Sequence, residues 1–304
     1  MKVLVPDDLG VKTLETSTNL EAVRYEPGQP WPVGHLDATV VVVGYESAAA
    51  VGSRFADLPD LRLVQTLNAG YEQWLPYLPD GVILSNARGA HGGSSAEWVV
   101  AVLLAVYRNL NLFNEQQSRG VWLATNTETL IGKRVVVLGA GDLAVNLASR
   151  LAPFEAEVTL VGRRPRPGVH GFDDIDRLLP GADVVVAMLP ADESTRHVID
   201  STFLANLRDG ALIVNVGRGS AVDTDALLVE LRSGRLRAAL DVTDPEPLPQ
   251  GHPLWSAPGV LLTPHVAGST TGAWERAWEI AHHQIDVYAG GGLPPNLVPG
   301  AGRR

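Results

Sequence analysis

Cysteine is absent from all 304 residues. Disulfides, thiolate nucleophiles and Cys-ligated zinc are thereby excluded. A basic surplus is lacking too, since the formal net charge is -10. Nucleic acid or an anionic membrane would be repelled by such a surface, so neither is expected as a partner, and any anion site must be local. Long hydrophobic runs are also missing. The most apolar stretch, Val99–Tyr107, is about half of a membrane span. Met1–Pro6 has neither the apolar core nor the cleavage site of a signal peptide, so a soluble cytoplasmic protein is expected. What is present is an apolar fraction of 45%, enough for real cores, in a length that suits two domains of ordinary size.

Short apolar runs alternate with helical patterns along nearly the whole chain. Val3–Val5, Val40–Val43, Leu63–Gln65 and Val82–Leu84 read as one series of strands. Val135–Leu138, Val158–Val161, Val184–Ala187, Leu212–Asn215, Ala238–Leu240 and Val260–Leu262 read as a second. Runs apolar on both faces, with helices between, imply parallel sheets covered on both sides. The expected fold class is therefore α/β, with doubly wound parallel sheets. Between the two series, Ser94–Asn111 is a helical pattern that is hydrophobic nearly all round. Such a helix must be buried, and the domain change is placed there. A second long helical pattern, Thr270–Tyr288, precedes a Gly/Pro-rich tail.

Val135–Leu138 runs straight into Gly139-Ala140-Gly141-Asp142-Leu143-Ala144, followed by a helical pattern to Leu151. The glycines permit a tight turn and close approach of backbone to a pyrophosphate. The new helix then offers free N–H groups and the positive end of its dipole. Gly139, Gly141, Asp142 and Leu143 are thus candidate cofactor-binding residues; the plainer reading is a simple turn. Selectivity is set at the end of the next strand, where an Asp or Glu about 20 residues on would hold a ribose 2′-OH. Val158–Val161 instead ends in Gly162-Arg163-Arg164-Pro165-Arg166. A guanidinium pairs with a 2′-phosphate, often bidentately, and a carboxylate would repel it. NADP is therefore expected over NAD, with Arg163, Arg164 and Arg166 at its phosphate. The plainer reading there is a solvated basic loop.

Three further segments each follow a strand, and in open parallel sheets the carboxyl ends of strands form the ligand crevice. They are Asn215-Val216-Gly217-Arg218-Gly219, Asp241-Val242-Thr243-Asp244-Pro245-Glu246-Pro247 and Thr263-Pro264-His265-Val266-Ala267-Gly268. An arginine flanked by glycines can reach a carboxylate and its neighbouring carbonyl. Reducing a ketone with hydride leaves an alkoxide that must gain a proton. Histidine is the natural donor, because its unperturbed pKa of about 6.5 is close to working pH. A carboxylate beside it would orient the ring. Glu246 and Asp241 both meet that description, and spacing alone does not choose between them.

These segments, with Gly139–Ala144, Asn86-Ala87-Arg88-Gly89-Ala90-His91 and Ala96-Glu97, resemble the signatures of the D-isomer-specific 2-hydroxyacid dehydrogenases. The match keeps the family's order over nearly the whole chain. The resemblance implies two Rossmann-like domains with a cleft between them. One is a flavodoxin-like substrate domain, residues 1–97 plus 286–304. The other is an NAD(P)-binding domain, residues 98–285, which includes the linking helices. It further implies Arg218 on the substrate carboxylate and carbonyl, Glu246 paired with His265, and His265 as proton donor. Asp241 would contact the nicotinamide amide. Pro190, Val216, Gly217 and Gly268 would line the cofactor, and the backbone at Asn68-Ala69-Gly70 would bind the substrate carboxylate. A homodimer without metal, acting on a small 2-oxo or 2-hydroxy acid such as glyoxylate or hydroxypyruvate, completes the expectation.

The nearest alternative is a phosphoglycerate dehydrogenase-like enzyme, whose substrate phosphate would need Arg88 or Arg62. Formate-type relatives carry glutamine where this chain has Glu246, and phosphite-type relatives need a lysine that is missing between Leu61 and Glu97. A dinucleotide-sensing binding protein would show an added segment or a lost catalytic residue. Taken singly, Arg218, Asp241, Glu246 and His265 each read equally well as turn or loop residues; their joint order favours chemistry. His91 reads as structural. His282 and His283 are adjacent on one helical pattern and face different directions, so they suggest no metal. Trp74, Trp98, Trp274 and Trp278 read as packing.

Overall fold

The computed structural model describes residues 1–301; the end of the expected return segment, residues 302–304, lies outside them. The strands are β1 (Lys2–Val5), β2 (Glu21–Arg24), β3 (Val40–Val43), β4 (Leu63–Thr66), β5 (Ile83–Ser85), β6 (Arg134–Leu138), β7 (Glu157–Val161), β8 (Val169–His170), β9 (Val184–Ala187), β10 (Leu212–Asn215), β11 (Arg237–Leu240) and β12 (Val260–Leu262). The α-helices are α1 (Asp8–Leu14), α2 (Ala48–Gly52), α3 (Gly92–Tyr107), α4 (Leu110–Ser118), α5 (Asp142–Leu151), α6 (Ile175–Leu178), α7 (Ser201–Ala205), α8 (Thr224–Arg232) and α9 (Ala273–Ala289). All sheet pairings between these strands are parallel.

The chain forms two compact units, Met1–His91 resuming at Thr271, and Gly92–Thr270. The first holds a sheet of order β2-β1-β3-β4-β5, the flavodoxin-like arrangement. Alternate residues of its strands feed separate cores. Val3, Val5, Val40 and Val42 pack with Leu14, Trp278, Ala281 and Ile285, while Leu4, Val41, Val43 and Val64 pack with Val51, Phe55 and Trp74. Each fully buried aliphatic side chain contributes about 1.5–3 kcal/mol of transfer free energy.

The second unit holds a sheet of order β12-β11-β10-β9-β6-β7-β8. Read from β8, the order is third, second, first, fourth, fifth, sixth, which is the Rossmann arrangement with one strand added. Its faces are also both covered. Val135, Val137, Val184, Val186, Leu212 and Val214 meet α3 and α5, and Val136, Leu138, Val185, Ala187 and Ile213 meet α7 and α8. This double covering is why the strands read as continuous apolar runs rather than alternating ones.

Three sequence expectations need adjustment. The expected boundaries at 97/98 and 285/286 fall within α3 and α9, which each stay whole in one unit. Ala277, Trp278, Ala281 and Ile285 pack as one stripe on the first sheet, and Val99, Val102, Leu103 and Tyr107 do so on the second. Next, the expected helix Ser94–Asn111 ends at Tyr107. Asn109 takes a left-handed conformation, φ 51°, and α4 leaves at 63° to α3. Asparagine is one of the few residues that visit this region routinely. Lastly, β2 and β8 are strands beyond the ten that the sequence pattern implies. Both are edge strands, and one of them is only two residues long. Among the described residues, no single helix is long and apolar enough to cross a membrane.

Candidate active site

The strand order of the second sheet reverses between β6 and β9, so a crevice opens beyond their carboxyl ends. Gly139 leaves β6 at φ 121°, and a Cβ there would lie 2.8 Å from the Met188 carbonyl oxygen at the end of β9. Only glycine combines that backbone with that closeness. Gly141 caps α5, and a Cβ on it would meet nothing within 4 Å, so the α5 N-terminus is open to an incoming group. The Asp142 carboxylate turns away to lie against Gly92, and its Oδ1 accepts from Asn146 Nδ2 at 3.1 Å. Leu143 is half-buried in the first turn, and Ala144 is buried. Open backbone at a helix start, with no acidic side chain projecting into it, fits a dinucleotide pyrophosphate. Pro190 is exposed just beyond β9, and Val216 is buried just beyond β10.

The arginine loop beyond β7 is built around a turn. Arg166 and Val169 exchange backbone hydrogen bonds across Pro167-Gly168, with Gly168 at φ 79°. Arg166 Nη2 donates to the Ala140 carbonyl at 2.8 Å, tying this loop to the glycine-rich turn. Arg164 is exposed. Arg163 is ion-paired with Asp192, on the loop after β9. The Ser194 hydroxyl, with help from Arg163, holds the Asp192 carboxyl below the usual carboxylate range. Asp192 is a partner of the arginine loop that sequence reading missed. The loop beyond β7 does lack a carboxylate, but one reaches it from 29 residues away.

Three loops carry the remaining residues. After β10, the buried Asn215 clamps its own turn: its Nδ2 donates to the Arg218 carbonyl at 2.9 Å, and its Oδ1 accepts from Gly217 N at 3.2 Å. Arg218 is half-buried, and its Nη1 donates to the Gly217 carbonyl at 2.9 Å. Gly219 is fixed by the next loop, since a Cβ on it would lie 1.9 Å from the Thr243 carbonyl oxygen. That next loop is also tied to α8, whose Thr224 Oγ1 donates to the Asp244 carbonyl at 3.0 Å. After β12, His265 sits at φ 53°, an uncommon conformation for a residue with a side chain.

Asp241 holds that conformation in place. It is 3% exposed, and its Oδ1 accepts from Thr263 Oγ1 at 2.5 Å and Val266 N at 2.9 Å. Its Oδ2 accepts from Ala267 N at 2.9 Å, and its carbonyl accepts from His265 N at 2.8 Å. One buried residue therefore grips the chain on both sides of the histidine. The histidine's ring is left to Glu246, with Nδ1 2.5 Å from Oε1. An ionised Glu246 fixes the proton on Nδ1 and directs Nε2 outward as the atom that can give or take a proton. Of the two carboxylates that spacing left open, Glu246 meets the ring and Asp241 braces the loop. Gly268 is half-buried and accepts from Thr270 N at 3.1 Å.

In the first unit, Asn68, Ala69 and Gly70 follow β4 at the carboxyl edge of its sheet. The Asn68 carbonyl accepts from Thr66 Oγ1 at 2.6 Å and Ala87 N at 3.0 Å, and the Ala69 carbonyl accepts from Asn86 Nδ2 at 2.9 Å. In a planar trans peptide the N–H points opposite to the carbonyl. With both carbonyls turned to the body, the Ala69 and Gly70 N–H groups turn away from it as a pair of donors. Arg88 is tied to Asn296 Oδ1 at 3.0 Å, and Arg62 precedes β4, at the opposite edge of the sheet from this pair. His282 Nε2 contacts Ser17 Oγ at 2.7 Å and Asp286. Trp74 and Trp278 are buried, whereas Trp274 stacks on the exposed Tyr45 with centroids 5.2 Å apart.

Residues 100–267 match the family described as D-isomer specific 2-hydroxyacid dehydrogenase, NAD binding domain. A glyoxylate reductase of Thermofilum pendens is 31% identical over 79% of this chain and 75% of its own. A D-3-phosphoglycerate dehydrogenase of Methanocaldococcus jannaschii is 33% identical over 72% of this chain but only 43% of its own. A D-isomer specific 2-hydroxyacid dehydrogenase from Xanthobacter autotrophicus, solved in complex with NADPH and MES, superposes with a TM-score of 0.84. It is 30% identical, covering 98% of this chain and 97% of that one. The chain belongs to the D-isomer specific 2-hydroxyacid dehydrogenase family, whose site rests on a nicotinamide dinucleotide and a small 2-hydroxy or 2-oxo acid.

Proposed function

We propose that this chain is an NADPH-preferring reductase of small 2-oxo acids such as glyoxylate or hydroxypyruvate, with Arg218, Glu246 and His265 as its catalytic residues. The observation that carries this reading is the His265 Nδ1–Glu246 Oε1 pair on the Asp241-braced loop, at the same sheet edge as the glycine-rich turn. When bound, the dinucleotide supplies the hydride. Gly139 and Gly141 let its pyrophosphate reach the α5 N-terminus, beside Asp142 and Leu143. Pro190, Val216, Gly217 and Gly268 line the cofactor. Asp241 has lone-pair capacity left for a carboxamide, because a carboxylate offers about four acceptor sites. Arg163, Arg164 and Arg166 receive a 2′-phosphate.

Arg218 holds the carboxylate and carbonyl of the acid; the Ala69 and Gly70 N–H groups, with Asn68, are donors suited to a carboxylate. His265 delivers its Nε2 proton to the forming alkoxide, and Glu246 stabilises the ring in its protonated state. A phosphorylated substrate is disfavoured, because Arg88 is committed to Asn296 and Arg62 lies at the wrong edge. A cytoplasmic homodimer is proposed as well. Leu110, Leu112, Val121, Trp122 and Leu123 are exposed along α4 and the segment after it, with Trp122 wholly so. Light scattering should give twice the chain mass.

The deciding experiment follows oxidation of NADPH and NADH against glyoxylate, hydroxypyruvate, pyruvate, phenylpyruvate and phosphohydroxypyruvate. Turnover of an unphosphorylated acid with NADPH preferred is the expected result. Turnover confined to phosphohydroxypyruvate would replace this reading with the phosphoglycerate dehydrogenase-like one. Dinucleotide binding without any turnover would favour a sensing role.

A further inference from the structure

We propose that Asp192 is a selectivity residue of the dinucleotide site, competing with a 2′-phosphate for Arg163 and so restraining the preference for NADPH over NADH. This rests on the reading of the Gly139–Ala144 turn and the arginine loop as a dinucleotide site.

At the carboxyl end of the second Rossmann strand, the ordinary device for NAD is an acidic side chain, and the ordinary device for NADP is its replacement by arginine. Here both are present. Arg163 and Arg164 directly follow β7, and Asp192 arrives from the loop after β9 to pair with Arg163. The carboxylate is held for this contact. Its Oδ1 accepts from Ser194 N at 2.9 Å and Ser194 Oγ at 2.5 Å. Its own N–H donates to Thr195 Oγ1 at 3.0 Å, and that hydroxyl donates to the Pro190 carbonyl at 2.7 Å. Ser194 Oγ also lies 3.4 Å from Arg163 Nη2. Among the described residues neither Arg164 nor Arg166 forms an ion pair, and Arg166 is held on the Ala140 carbonyl, so Arg164 is the arginine left to meet a phosphate without opposition.

The consequence is electrostatic. A phosphate arriving at Arg163 finds the guanidinium already neutralised, with an ionised carboxylate beside it. It must either displace Asp192 or bear its repulsion. A dinucleotide lacking that phosphate meets no such cost, and its 2′-OH is offered a carboxylate acceptor. Because the loop is exposed, the effect is modest. One unit charge about 4 Å away in water changes an affinity about fivefold, and a phosphate carrying nearly two charges about twentyfold, which salt screening at this exposed loop reduces to about five- to tenfold.

The test is equilibrium binding of NADPH and of NADH, by calorimetry or nucleotide fluorescence, without any acid substrate. The proteins are wild type, Asp192→Asn, Arg163→Ala and the double variant. Asp192→Asn should tighten NADPH about five- to tenfold and leave NADH unchanged or weaker. In the Arg163→Ala background, the same substitution should help NADPH less. An unchanged ratio of the two affinities in Asp192→Asn would overturn the proposal. So would weaker NADPH binding, which would make Asp192 a residue that positions Arg163 for the phosphate. If wild type binds neither dinucleotide, the site reading itself fails and the inference falls with it. Binding of both with no response to Asp192→Asn removes the inference alone.

Discussion

Two loops of the second unit, the one after β12 and the one after β7, are fixed in opposite ways. The His265 loop is held from beneath by a buried carboxylate whose partners are mostly backbone N–H groups. The arginine loop is held at its surface by exposed side chains, Arg163 on Asp192 and Arg166 on Ala140. Buried charge-assisted bonds are costly to lose, and exposed ion pairs contribute little to stability. The first loop should therefore tolerate no change in geometry. The second should allow its ligand preference to be altered at almost no cost to folding.

The largest effect is expected at Asp241. Asp241→Ala would leave Thr263 Oγ1, Val266 N and Ala267 N without their acceptor, at about 1–3 kcal/mol for each buried group. A loss of several kcal/mol in urea denaturation is expected, together with loss of turnover as His265 leaves its position. Full stability in that variant would contradict the bracing role. Gly219→Ala comes next. Its methyl would meet the Thr243 carbonyl at 1.9 Å, and overpacking of this kind costs about 1–3 kcal/mol. Denaturation midpoints would report it, and an unchanged midpoint would mean that the two loops can move apart.

On the other side of the comparison, the Arg163→Ala/Arg164→Ala double variant should fold within about 0.5 kcal/mol of wild type. It should weaken NADPH by about 10- to 100-fold for each phosphate bond lost, with little change for NADH. Equal losses for both dinucleotides would refute the phosphate-binding assignment. The smallest effect is expected for Arg166→Ala. One exposed hydrogen bond to Ala140 is lost, worth about 1 kcal/mol or less in stability, and a thermal melt would detect a larger contribution.

Much of this architecture could be read from sequence because it lies in contiguous runs. All ten expected strands are present, since strands covered on both faces, such as Val40–Val43 and Val184–Ala187, are unbroken apolar runs. The edge strands Glu21–Arg24 and Val169–His170 carry too little apolar pattern to stand out. The break at Asn109 was hidden because the residues on either side of it continue a helical composition. At the site, the glycine-rich turn and the three later loops are local motifs. The approach of Asp192 to Arg163 is not, because it depends on how two loops from different strands lie in space. Nor does composition distinguish Asp241, turned inward as a brace, from Glu246, turned outward to the ring.

The most direct test of the central claim is single-turnover oxidation of enzyme-bound NADPH by a 2-oxo acid, comparing wild type with His265→Ala after NADPH binding has been measured for each. Unchanged NADPH affinity is expected, with a rate about 10²–10⁴-fold lower in the variant, the usual contribution of a positioned general acid. A variant that binds NADPH and retains most of the wild-type rate would contradict it.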